Sequence, residues 1–112
     1  MKYGFIYVLA NDAMPGIVKI GMTERAPRAR VEELSAATAV PIPFTLELYA
    51  EVADPFCVEQ RVHEFFRESR VNDGREFFRV DPHDVRLWLQ GEAITGWVKP
   101  RTIEERRERG AF

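Results

Sequence analysis

The chain has 112 residues and a formal net charge of −2, with 46% hydrophobic, 12% aromatic and 30% charged residues. That is the composition of a folding chain of about one domain, which excludes a disordered or collagen-like polymer. A single cysteine, Cys57, excludes a disulfide framework and a zinc finger, and no apolar run approaches the roughly 20 residues that span a bilayer.

Met1-Lys2 leads into a short apolar run, Gly4 to Ala10, with no small-residue cleavage site after it. A reduced, cytoplasmic protein with no secretory signal is the expectation. The small net charge hides a segregation. Of 16 basic residues 13 are arginine, and none lies between Arg30 and Arg61, where Glu32, Glu33, Glu47, Glu51, Asp54 and Glu59 sit. A bulk polyanion binder is disfavoured by this balance. A local arginine-lined phosphate site is open to it, because the guanidinium fork matches phosphate oxygens; a solvated mixed-charge surface has the same composition.

In chain order, Gly4 to Ala10 is rich in β-branched and aromatic residues and reads as a largely buried strand. Asn11 to Gly16 is a turn cluster, and Ile17 to Gly21 is a second strand, so the two form an antiparallel hairpin. Pro27 opens a helix reaching about Ala36, with Val31 and Leu34 on its apolar face and Thr23 or Glu24 as capping residues. Val40 to Pro43 is an extended connector, and Phe44 to Val52 alternates as a half-buried strand. Asp54-Pro55 predicts a capped helix start, with the helix running to about Ser69 and Val58, Val62, Phe65 and Phe66 as its buried stripe. A turn at Asn72 to Gly74 precedes a short extended segment, Glu76 to Val80. Asp81-Pro82 then starts a helix to about Gln90 that buries Val85, Trp88 and Leu89 and ends at Gly91.

The expected fold is α+β: a small, mostly antiparallel sheet in ββαβα order, flanked by helices, with a C-terminal helix and a charged tail. Residues 1–98 are expected to form the one domain and residues 99–112 the tail.

Glycine-rich phosphate loops, paired-histidine metal motifs and nucleophile elbows are absent from the sequence. What remains is a constellation. In a hairpin, Tyr7 and Lys19 can share a face, and an amine beside a phenol favours the phenolate and lowers its pKa from about 10, as a general base requires. A core tyrosine with a snorkelling lysine would look the same. Arg28 and Arg30, on the first helix, can each reach back toward Tyr7. Glu59 and His63 are four apart and share a helix face, where they could bind one divalent metal, or Glu59 alone could hold hydrated Mg²⁺. An ordinary surface Glu–His contact has the same spacing.

Phe5-Ile6-Tyr7 followed by Lys19-Ile20-Gly21 resembles the two-part motif of the GIY-YIG endonuclease superfamily. The likeness continues through Arg30-Val31-Glu32-Glu33-Leu34-Ser35, Glu59-Gln60-Arg61-Val62-His63, Arg70-Val71 and Arg75-Glu76-Phe77-Phe78. It is most similar to a small phage and bacterial branch whose second motif is Lys-Ile-Gly. The resemblance implies metal-dependent hydrolysis of phosphodiester bonds in DNA, with single- or double-stranded substrate left open and no membrane partner. It implies Tyr7 for activating water, Lys19 for tuning it, Arg30 for the phosphate, Glu59 for one Mg²⁺ or Mn²⁺, and His63 in support. Arg28, Arg70, Arg75 and Thr23 would contact nucleic acid. Phe5 and Lys19 depart from the motif's glycine and tyrosine, and Glu76 lies in the region of the family's late asparagine. A non-catalytic nucleic-acid-binding or protein-interaction module of the same fold is the alternative.

Overall fold

Alternation of apolar and polar residues makes the strands, and the place of each strand in the sheet decides how much of it is buried. The computed structural model describes residues 2–36 and 41–92. Strand β1 is Tyr3–Ala10, β2 is Val18–Thr23, β3 is Thr45–Ala53 and β4 is Phe77–Phe78. Helix α1 is Pro27–Ser35, α2 is Pro55–Phe65 and α3 is Pro82–Gln90. The four strands form one antiparallel sheet in the order β3-β1-β2-β4. This is the expected α+β architecture. Central β1 is flanked on both edges, so Ile6, Tyr7, Val8 and Leu9 are all buried, and the segment reads as a continuous apolar run.

One core joins Ile6 and Val8 of β1, Val18 and Ile20 of β2, Leu48, Ala50 and Val52 of β3, Val58 and Val62 of α2, Phe78, and Val85 and Leu89 of α3. Alternation sends Tyr7, Lys19 and Gly21 to the opposite face of the sheet. Tyr7 lies directly across from Gly21, and a Cβ at position 21 would overlap the Tyr7 ring, so only glycine lets the phenol lie over β2.

Several details differ from the sequence expectation. Helix α2 stops at Phe65, and a 3-10 turn, Arg67–Ser69, follows. The chain leaves the helix because the next segment turns back on itself: Arg79 N–H donates to Ser69 O at 2.8 Å, Val71 N–H to Phe77 O at 2.9 Å, and Arg70 bridges Phe78. Phe65 is therefore 65% exposed, not part of the buried stripe, while Phe66 packs at the margin of the core. Trp88 is likewise only partly buried. Asp54 does not cap α2. It takes a left-handed conformation, φ 50° and ψ 63°, with no side-chain cap. Ala26 stands at the start of α1 with no side-chain cap, since Thr23 Oγ1 accepts from Arg25 N–H at 3.1 Å in the preceding turn. The expected boundary at 98 and the charged tail fall outside the described residues.

Candidate active site

Strand β4 pairs with β2 only through Val18↔Phe78 and Lys19↔Phe77, so the rest of the β2 edge needs other partners. Buried backbone groups must be satisfied, and here α2 does it with side chains. His63 Nε2 lies 2.8 Å from Ile20 O, and Met22 N–H donates to the Glu59 carboxyl. The spacing explains the fit. Four helical residues advance about 6 Å and two strand residues about 6.6 Å, so positions 59 and 63 match alternate residues of the strand.

This arrangement gives His63 a different role from the one expected. A carbonyl can only accept, so the ring holds its proton on Nε2 and donates it to Ile20. Burial pushes the ring's pKa below the ordinary 6.5, which keeps it neutral. The ring also stacks against Phe78 at 5.0 Å between centroids. His63 is a positioning residue that ties α2 to the β2 edge.

Glu59 is 7% exposed. Its carboxyl meets that of Glu76 within hydrogen-bonding reach, and burial together with this second carboxylate pushes its pKa up to about 7; the Met22 N–H and Lys19 act in the opposite direction. Lys19 Nζ pairs with Glu76 Oε2 at 3.1 Å and lies over the Phe77 ring at 5.3 Å. Lys19 shares the face of Tyr7 as expected, but its partner is Glu76.

The cation that touches Tyr7 is Arg30, from the second turn of α1. Arginine can only donate, so the phenolic oxygen accepts from the guanidinium. Arg30 is steadied by Glu33 Oε1 at 3.4 Å, and Glu33 in turn holds Arg25 at 2.6 and 2.7 Å. Tyr7 is 1% exposed. Burial raises its pKa above 10, Glu76 and Glu59 add to the rise, and Arg30 opposes it. The expectation of a lysine-lowered phenol is thereby corrected: desolvation outweighs the one cation in contact. The structure thus brings Tyr7, Arg30, Lys19, Glu59 and Glu76 into one electrostatic neighbourhood, drawn from β1, α1, β2, α2 and the start of β4.

The model of one protein family, the T5orf172 domain, matches residues 4–91. The chain belongs to the T5orf172 domain family. These domains have a GIY-YIG-like fold and are associated with phage and bacterial endonucleases, and membership suggests a nuclease-like or nucleic-acid-associated role. No curated protein and no solved structure matches the chain.

The outer residues of this T5orf172 domain divide into free and committed. Arg28 and Arg75 are exposed, on α1 and on the turn before β4. Arg70 is half-buried: its Nε donates to Arg75 O at 2.8 Å and its guanidinium lies over Phe78 at 5.4 Å. Thr23 is buried and its hydroxyl accepts from Arg25 N–H in the turn before α1. Glu76 received no role from the sequence. Its signals were its place immediately before a strand-like Phe77-Phe78 and in the region of the resembled family's late asparagine, and only pairing with β2 puts it beside Lys19. Among the described residues, no helix is long and apolar enough to cross a membrane, and no group of three or more His, Cys, Asp or Glu side chains is gathered to hold a metal.

Proposed function

We propose that this T5orf172 domain is an endonuclease that hydrolyses phosphodiester bonds in DNA. The observation that carries the reading is the juxtaposition of a phenol–guanidinium pair, Tyr7–Arg30, with a buried carboxylate, Glu59, beside the edge of β2. Glu59 fits a divalent cation. It is a desolvated hard oxygen donor beside a second carboxylate, with a single lysine to balance the two charges, and Mg²⁺ is bound through one or two carboxylates with water and substrate phosphate completing its shell. When bound there, Mg²⁺ or Mn²⁺ supplies Lewis-acid polarisation of the phosphoryl oxygens.

The chain's own residues do the rest. Arg30 holds the scissile phosphate, its planar fork oriented by Glu33 and Tyr7. The Tyr7 phenolate takes a proton from water, the water oxygen bonds to phosphorus, and the bond from phosphorus to the sugar oxygen breaks; that oxygen takes its proton from solvent. The phenolate forms against the cost of burial, with Arg30 offsetting part of it. Cleavage through this base rises with pH across the alkaline range. His63 holds α2, and so Glu59, in register with β2.

The test is cleavage of labelled single-stranded and duplex DNA with Mg²⁺, Mn²⁺ or EDTA, comparing wild type, Glu59→Ala and Tyr7→Phe. We expect metal-dependent cutting that is lost in Glu59→Ala and reduced by about 100-fold or more in Tyr7→Phe. Salt-sensitive DNA binding with no cutting on any substrate would replace the enzyme reading by that of a binding module.

A further inference from the structure

We propose that Glu76 is a second carboxylate ligand of the divalent cation at Glu59, held in place by Lys19. This rests on the endonuclease reading above and goes beyond it, because the resemblance gave Glu76 a place, in the region of the family's late asparagine, and no role. The geometry places it. Glu76 O accepts from Ile20 N–H at 3.0 Å, next along the β2 edge from the Met22 N–H that Glu59 takes. The two carboxyls are therefore brought together by one strand, Glu76 from the side of β4 and Glu59 from α2.

The segment that carries Glu76 is tightly folded. Gly74 N–H donates to Asn72 Oδ1 at 2.8 Å, Arg75 N–H to Asn72 O at 3.0 Å, and Arg70 Nε to Arg75 O at 2.8 Å. Lys19 then fixes the side chain through Oε2 at 3.1 Å. Once both carboxyls are ionised, a single ammonium against two carboxylates leaves a net negative charge that the neighbouring backbone N–H groups do not remove. A divalent cation held by Glu59 and Glu76 would do so. Two oxygen ligands from the protein are also the number a magnesium-like ion takes when it keeps several waters and a substrate phosphate.

The experiment titrates Mn²⁺ alone, without DNA, into the full chain and reads calorimetric affinity and Tm. Wild type, Glu59→Gln and Glu76→Gln are compared. Glutamine keeps the size of the side chain and can still accept from Lys19, and it removes one of two adjacent like charges. Glu76→Gln is therefore expected to melt no lower than wild type in metal-free buffer. Its Mn²⁺ affinity is expected to fall by roughly 10- to 100-fold, the range that losing even an outer partner costs a metal site. The Mn²⁺-induced rise in Tm should shrink with it. A second measurement needs no variant: in wild type titrated with Mg²⁺, the side-chain carboxyl carbons of Glu59 and Glu76 should shift together with one dissociation constant. If only the Glu59 carboxyl responds, or Glu76→Gln binds Mn²⁺ as wild type does while Glu59→Gln does not, Glu76 is structural and the endonuclease reading stands. A wild type that takes up neither ion overturns both.

Discussion

Glu59 carries two costs at once, since it is buried and the charge that meets it is another carboxylate. The pH dependence follows from their sign. Its pKa is raised from 4.5 to about 7, so the folded chain holds a proton that the unfolded chain releases. That contribution to stability is complete below pH 4.5 and is lost as pH rises through about 7. Glu59→Gln, which is never charged, should therefore gain on wild type from pH 4.5 to about pH 8, by on the order of 2 kcal/mol. Thermal melts across that range measure it, and a constant difference between the two proteins would contradict it. The spacing of Glu59 and His63 was legible in the sequence, because four residues make one helix face. What that face would meet was not. A metal pairing and a ladder onto a strand edge demand the same spacing, and the buried ring of His63 took the second.

At the scale of elements, two Asp-Pro pairs with one local signal have two outcomes. Asp81 has extended backbone, φ −76° and ψ 132°, and its Oδ1 accepts from His83 N–H at 2.8 Å, a helix cap as expected. Asp54 cannot do this. Ala53 is still paired with Tyr3, Asp54 N–H donates to Lys2 O at 2.7 Å, and α2 begins at the next residue, so the turn closes in one left-handed step. Asp81→Ala should cost about 1 kcal/mol in chemical denaturation. Asp54→Gly should be neutral or stabilising by up to about 1 kcal/mol, since glycine takes positive φ without penalty. Equal losses at both positions would show that position 54 also caps. Strand and helix cores were legible because period-2 and period-3.6 patterns are local. The end of α2 was not, because the return segment that pairs Arg70 with Phe78 pulled the chain out of the helix.

For the molecule as a whole, a net charge of −2 coexists with arginines at two margins of the site, Arg28 on α1 and Arg75 before β4. Bound DNA should release counterions from the phosphates these residues meet. Arg75→Ala should weaken binding alike on all sequences and lower the slope of log K against log salt by about 1. Fluorescence anisotropy over a range of KCl concentrations reads this, and an unchanged slope would place the DNA elsewhere. Arg75 is a cleaner probe than Arg70, whose guanidinium packs over Phe78 and supports the fold as well.

The sequence by itself determined the order of strands and helices, the buried run of β1, the half-buried alternation of β3, Val85 and Leu89 as core positions of α3, and the shared face of Tyr7 and Lys19. Each of these follows from residue patterns within one element or across one short hairpin. The tertiary structure decided the partners: Arg30 against Tyr7, His63 on Ile20, and Glu76 between Lys19 and Glu59. Lys19 and Glu76 are 57 residues apart, and His63 and Ile20 are 43 apart. Local periodicity places a side chain on a face of its own element, and only the packing of α1 and α2 and the pairing of β4 with β2 fixes which charge waits across from it.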